Sequence, residues 1–305
     1  MPRPLQIAFR RQLVSYKRRR YSHVWPIDHG AGAPPEKWAG WPHNKKFALV
    51  LSHDVDTQKG CEHARRLMHL EKTMGVASLF NFVPERYPES LGLRDDLSAN
   101  GFEVGVHGLK HDGRLFWSKK VFKRRAVRIN HYLNKWNTRG FTSPSTHHNL
   151  AWMHALEIDY DISTFDTDPF EPQPDGVGTI FPFWVNNPEG DTGYVEFPLT
   201  LPQDHTLFIM MRESNIDIWK QKLDWIAEKG GMALLNTHPD YMQFNDRTCN
   251  GEEYPVKYYE AFLHYVKTHY QGQFWHVLPR DMARFWKARE AFHHGGTEDT
   301  EKREK

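Results

Sequence analysis

The 305-residue chain has only two cysteines, Cys61 and Cys249, too few for a disulfide framework or a thiolate zinc ribbon. It has no run approaching the roughly 18 consecutive apolar residues of a membrane-spanning helix. It shows no internal repeat and no low-complexity block. It also lacks a charge excess: 40 Lys and Arg face 38 Asp and Glu, a net +2 that points to no polyanion, so no nucleic-acid partner is expected. Acidic residues are missing from the N-terminus until Asp28, while Arg3, Arg10, Arg11, Lys17, Arg18, Arg19 and Arg20 crowd that stretch. Its short apolar pieces, Ile7-Ala8-Phe9 and Leu13-Val14, are cut by Arg10 and Arg11. The apolar core of about 7–15 residues that defines a secretory signal is therefore absent, and a cytoplasmic location is expected. The basic stretch is expected to pack on or beside the domain, or to touch an anionic membrane peripherally.

What is present is 39% hydrophobic residues, enough to bury the core of one large α/β domain or two ordinary ones. Histidines number 19, tryptophans 11, and aromatic residues make up 14%. With so little cysteine, any metal chemistry has to use histidine and carboxylate ligands. The organisation read from the chain is a basic and aromatic extension over 1–46, one unsplit domain over 47–292, and a polar tail over 293–305.

Within 47–292 short apolar runs alternate with helical spacing. Strands are expected at 47–53, 76–83, 102–106, 140–142, 160–163, 206–211, 232–237 and 274–277. Helices are expected over 63–73, 91–100, 115–136, 151–157, 217–228, 256–269 and from Pro279 to about Phe292. Residues 166–204 read as a long loop with short strands, suited to a substrate wall. This alternation predicts a parallel sheet, open or closed into a barrel.

In such folds, polar residues just past the strand ends collect at one mouth. Asp54 and Asp56 follow the first strand, His107 and His111 the third, and His238 the run 232–237. His107-Gly-Leu-Lys-His111 can aim two imidazoles at one cation, and two histidines with one carboxylate form a catalytic type of site. Imidazole suits zinc and several other divalent ions. Asp54-Val55-Asp56 can split ligand and base duties, or both residues can cap the following helix. His238 can serve as an acid or bond to backbone. Tyr241, Trp184 and Trp225 are candidates for stacking on a sugar, with core packing as the alternative. His147 and His148 could reach the mouth from beyond Pro144.

The order Ser52-His53-Asp54-Val55-Asp56, His107-Gly-Leu-Lys-His111, Gly140-Phe-Thr-Ser-Pro144 and Leu235-Asn-Thr-His238 resembles the polysaccharide deacetylase family, the NodB-homology domain of carbohydrate esterase family four, in its Asp-x-Asp branch. The resemblance covers about residues 47–285. It implies a distorted (β/α) barrel and removal of N-acetyl or O-acetyl groups from a glycan or amino-sugar substrate. It further implies a divalent cation, zinc being the expected ion, held by Asp56, His107 and His111. Asp54 would then be the base, His238 the acid, and the Ser145 backbone N–H a donor to the oxyanion. Two positions depart from the pattern. Thr142-Ser143-Pro144-Ser145 stands where the family has Arg-x-Pro-Tyr, which leaves Arg139 as a candidate replacement for the arginine. Asp166 or Asp168 is expected to supply the acidic residue that tunes His238, with Asp166 also a candidate substrate contact. A hydrolase of another non-peptide C–N bond and a catalytically silent glycan-binding barrel are the alternatives.

Overall fold

Nine residues with no polar side chain before Ser52 form β1 (Phe47–Val55), which is buried at every position. Such a run suits a central parallel strand covered on both faces. In this computed structural model the described residues are 3–295, apart from 89–91, 189, 191 and 246. Most of the expected polar tail, from residue 296 onward, lies outside them. Along one edge β1 pairs in parallel with β8 (Met232–Thr237). Its other edge pairs with β11 (Phe274–His276) near the start and β2 (Leu79–Phe82) near the end. The sheet continues through β3 (Glu103–His107), β4 (Gly140–Thr142), β5 (Tyr160–Asp161) and β7 (Gly193–Glu196) to β6 (Phe183–Asn186). All of these pairs are parallel except the β6–β7 hairpin.

The sheet curls into a half-barrel flanked by helices, the distorted (β/α) barrel expected. Beyond β7 the chain turns towards β8, where the Leu201 N–H donates to the Leu234 carbonyl at 3.1 Å. The flanking helices are α2 (Gln58–Thr73), α3 (Leu93–Ala99), α4 (Lys119–Lys135), the short α5 (Leu150–Met153), α6 (Asp217–Lys229), α7 (Lys257–His269) and α8 (Pro279–Gly295). α2 buries Cys61, Ala64, Leu67 and Met68, at the spacing of one helical face. No helix among the described residues is long and apolar enough to cross a membrane.

The N-terminal extension divides in two. Residues 3–20 form helix α1 (Arg3–Arg20), considered with the site below. The lead-in that follows packs at the opposite end of the strands, where Trp38 and Trp41 meet Phe181 and Trp286, and the Trp41 indole N–H donates to the Gly230 carbonyl at 2.8 Å. Much of the aromatic excess is therefore core.

Two expectations are corrected here. Thr206–Met211 is not a strand; His205–Met210 forms a wide π-type helical turn whose residues Thr206 to Met210 are all buried. An apolar run this short has no periodicity to separate the two states. Asp166 lies away from the mouth, buried in an ion pair with Lys222, whose ammonium also donates to the Pro26 carbonyl. Burial pushes the Asp166 carboxyl up to about 6, with Lys222 opposing the shift. Asp166→Ala leaves that ammonium buried without its counter-charge, and a loss of about 3–5 kcal/mol in urea unfolding is expected. A loss below about 1 kcal/mol would sink this structural assignment.

Candidate active site

β-Strand alternation sorts the first motif. Ser52 and Asp54 point to the barrel interior, while His53 points the other way, to Glu71 at 3.0 Å and Thr237 at 2.8 Å. Asp54 is the penultimate residue of β1, and Asp56 lies just past its end. The Asn81 amide on β2 donates to Asp54 Oδ1 at 2.9 Å, and the Asn236 amide on β8 donates to Oδ2 at 2.8 Å. Room for Asn81 exists because Gly105 on β3 has no side chain; a Cβ there would lie 2.2 Å from the Asn81 amide oxygen. Three adjacent strands thus clamp one carboxylate through neutral donors. Arg139 takes no part: it binds the Glu157 carbonyl and carboxylate at the surface.

Asp56 is fixed from the other side. Its N–H donates to Asp240 Oδ2 at 3.0 Å, and the Thr57 hydroxyl donates to the same carboxylate. Asp240 in turn lies against the first turn of α2, so close that a Cβ on Gly60 would lie 2.3 Å from its oxygen. Asp56 Oδ1 lies 3.3 Å from His107 Nε2 and 3.1 Å from His111 Nε2. Neither contact has hydrogen-bond geometry, so this buried oxygen has no hydrogen-bond partner. Burial pushes the Asp56 carboxyl up, but the two rings outweigh it and hold the group well below the usual carboxylate range.

His107 ends β3, and its Nδ1 lies 3.1 Å from the Thr142 carbonyl. A carbonyl only accepts, so Nδ1 donates to it, and Nε2 is the nitrogen turned towards Asp56. Gly108 lets the chain turn here, with φ +59° and the Pro144 ring where a Cβ would sit, 2.5 Å from Cδ. Ligand atoms of Asp56, His107 and His111 all lie within 4.8 Å of one another.

His238 follows β8. Its Nδ1 lies 2.7 Å from Asp204 Oδ1, and its backbone N–H donates to Asp204 Oδ2 at 2.8 Å. The Tyr254 hydroxyl donates to that same oxygen at 2.9 Å. Asp204 therefore takes the place expected of Asp166 or Asp168. Burial pushes the His238 imidazole down, but Asp204, helped by Asp56 and Asp54, overrides it and raises the group to about 10. Ser145 sits in a left-handed conformation, φ +55°, a strained state common at functional sites. Its loop is fixed by the Ser143 N–H donating to Ser163 Oγ, which donates on to Asp161 at 2.6 Å.

These residues share one cavity of about 410 Å³ that contains Asp54, Asp56, His107, His111, Ser145, His238 and Tyr241. Trp184 and Trp225 do not line it. Trp184 lies on β6 beside Gly193, and Trp225 is buried on α6 with the Lys222 ammonium over its ring. His147 lies in a neighbouring small pocket, and His148 bonds to the Thr146 carbonyl. Sequence reasoning also missed Glu171 and His205 on the cavity wall. Burial pushes the Glu171 carboxyl up to about 7 and the His205 imidazole down to about 4.

No family model matches the chain, and no curated protein matches it in sequence. Solved structures do match. A Mycobacterium smegmatis protein named as a polysaccharide deacetylase superposes with a TM-score of 0.66 at 16% identity, over 85% of this chain and 96% of that one. One from Pseudomonas aeruginosa PAO1, named likewise, gives 0.64 at 17% over 86% and 98%. The allantoinase PuuE gives 0.64 at 18% over 87% and 98%. The chain has the NodB-type polysaccharide deacetylase fold. On this fold, the mouth at the C-terminal strand ends is where the five ionisable residues meet.

The link from Asp204 to His238 yields a measurable outcome. In metal-free protein, the His238 imidazole should stay protonated through neutral pH and lose its proton only near pH 10, followed by NMR. Removing the charge with Asp204→Asn should bring that midpoint down by a unit or more. An unmoved midpoint would show that Asp204 does not set it.

Proposed function

We propose that the protein is a metal-dependent hydrolase of a non-peptide C–N bond, removing acetyl groups from an N-acetylated sugar in a glycan or glycan precursor. An O-acetyl ester is an easier target for the same groups. The observation that carries this reading is the convergence of Asp56, His107 and His111 in one cavity with Asp54 and His238. The likeness to structures named as polysaccharide deacetylases supports it.

The donor set fits a divalent cation. Asp56 presents a buried oxygen with no hydrogen-bond partner, and His107 has its free nitrogen turned towards it. Two imidazoles and one carboxylate leave coordination positions open and suit zinc. Bound there, the cation would supply Lewis acidity to the attacking water and to the acyl oxygen.

The chain's own groups perform the rest. Asp54, with Asn81 on one oxygen and Asn236 on the other, accepts the proton of the attacking water. The Ser145 N–H donates to the acyl oxygen as negative charge develops there. When the C–N bond breaks, the amine leaves by taking a proton from His238 Nε2, since Nδ1 is committed to Asp204. An amine is a poor leaving group, so this proton is required, and the Asp204 carboxylate against Nδ1 favours the protonated ring that supplies it.

The test is acetate release from N-acetylated oligosaccharides alongside metal analysis. Asp54→Asn should lower kcat by about 10²–10⁴ with folding unchanged. His107→Ala should abolish stoichiometric metal in the purified protein. Full acetate release by the Asp54 variant would refute the base assignment. Ammonia release from small amides without acetate release would instead favour the other C–N hydrolase reading, and glycan binding without turnover the silent barrel.

A further inference from the structure

Helix α1 lies across the mouth. Its own Val14 is buried, and polar ties hold the helix to three separate segments. Arg11 donates to the Ile209 carbonyl at 3.0 Å and to the Gly251 carbonyl at 2.8 Å. Lys17 donates to the Pro169 carbonyl at 2.6 Å, and Arg18 pairs with Glu213 at 2.5 Å. The wide turn after Asp204, the loop before β10 (Tyr254–Pro255) and the loop after Asp168 are all joined by this one helix.

A cavity opens on each flank. Arg10, Leu13, Val14 and Lys17, an i, i+3, i+4, i+7 set, line the chamber of about 410 Å³. Ile7, Ala8 and Arg11, on the other flank, line a second chamber of about 950 Å³. The two chambers share Asp56, His111 and Tyr241, so both reach the ligand set. They are not equivalent. Asp54 and His238, the proposed base and acid, line only the smaller one. Resting on the deacetylase reading above, the acylated unit must then occupy the smaller chamber, whose size falls in the range of about 300–1,000 Å³ typical of small-molecule sites. Glu171, Gln203 and His205 on its wall offer hydrogen bonds to hydroxyl groups.

We propose that α1 is a strap that limits the substrate to a small acylated sugar or the end of a chain. A polymer reacting at an interior unit needs neighbouring units on both sides of the reacting centre. Here such a chain would have to pass beneath a helix tied down from Arg11 to Arg18. A monosaccharide, a short oligosaccharide or a terminal unit needs only one chamber.

The test is a chain-length series of one N-acetylated sugar, from monomer to polymer, given to the full-length metal-loaded enzyme. Turnover per acetyl group should fall at least tenfold from short oligomers to polymer, and polymer products should be deacetylated only at an end. In the double variant R11A R18A, which removes three of the ties, the polymer-to-oligomer rate ratio should rise about tenfold. Interior acetyl groups released as fast as those of oligomers would overturn the strap and leave the deacetylase reading standing. An unchanged ratio in a folded double variant would place the exclusion in the walls beneath and also overturn it. No acetate from any member would overturn the deacetylase reading, and this inference with it.

Discussion

Two carboxylates at the end of one buried strand set the terms for everything around them. Asp54 and Asp56 are both buried, and an ionised carboxylate without partners in such a place costs far more than a domain's net stability. The two solutions differ in kind. Asp54 is satisfied by neutral amides from flanking strands, which requires Asn81 and Asn236 at matching levels and a glycine opposite Asn81. Asp56 has only partial satisfaction. Its backbone is held by Asp240, while one side-chain oxygen faces two imidazoles without a hydrogen bond. A full polar shell fixes a group, whereas an incomplete shell of convergent ligands leaves room for an ion.

The same constraint explains how much could be read from the chain. Strand alternation and the rule that polar residues gather past strand ends were enough to bring Asp54, Asp56, His107, His111 and His238 to one place. Alternating strand and helix patterns predicted a parallel sheet, open or closed, and the family resemblance implied the distorted barrel. What failed was long-range and context-dependent. Asp204 stands 34 residues before His238, in front of an apolar run that looks like a strand and folds as a wide helical turn. Nothing in Asp204-His205 marks it off from Asp166 or Asp168; only the turn that follows brings its carboxylate under the imidazole. Asn81 and Asn236 gave one usable signal, since an asparagine inside an otherwise apolar strand needs a buried partner.

Aromatic residues carried the opposite lesson. Trp184 and Trp225 were plausible sugar platforms by type, but a large planar ring is equally good at filling core space. Trp38, Trp41 and Trp286 pack together at the end of the barrel away from the chemistry, fastening the lead-in to α8. The lead-in runs between that end and the helix lying across the mouth. One extension therefore touches both ends of the barrel, contributing core at one and wall at the other.

Thr142 stands at the position usually held by arginine in the third motif. Thr142 cannot pair with Asp54, and Arg139 is turned outward to Glu157, so no permanent cation from that segment enters the mouth. In the family pattern a guanidinium both orients the base and adds positive charge beside it. Here the two tasks are separated. Orientation comes from two uncharged amides, one per carboxylate oxygen, held by strand register. Positive charge comes from His238, kept protonated by Asp204 on the far side of the ring. A mouth built this way places a strongly held proton on His238, the group proposed above as the acid. On the proposed reading, the missing arginine changes how the base is held and leaves the other groups of the site in place.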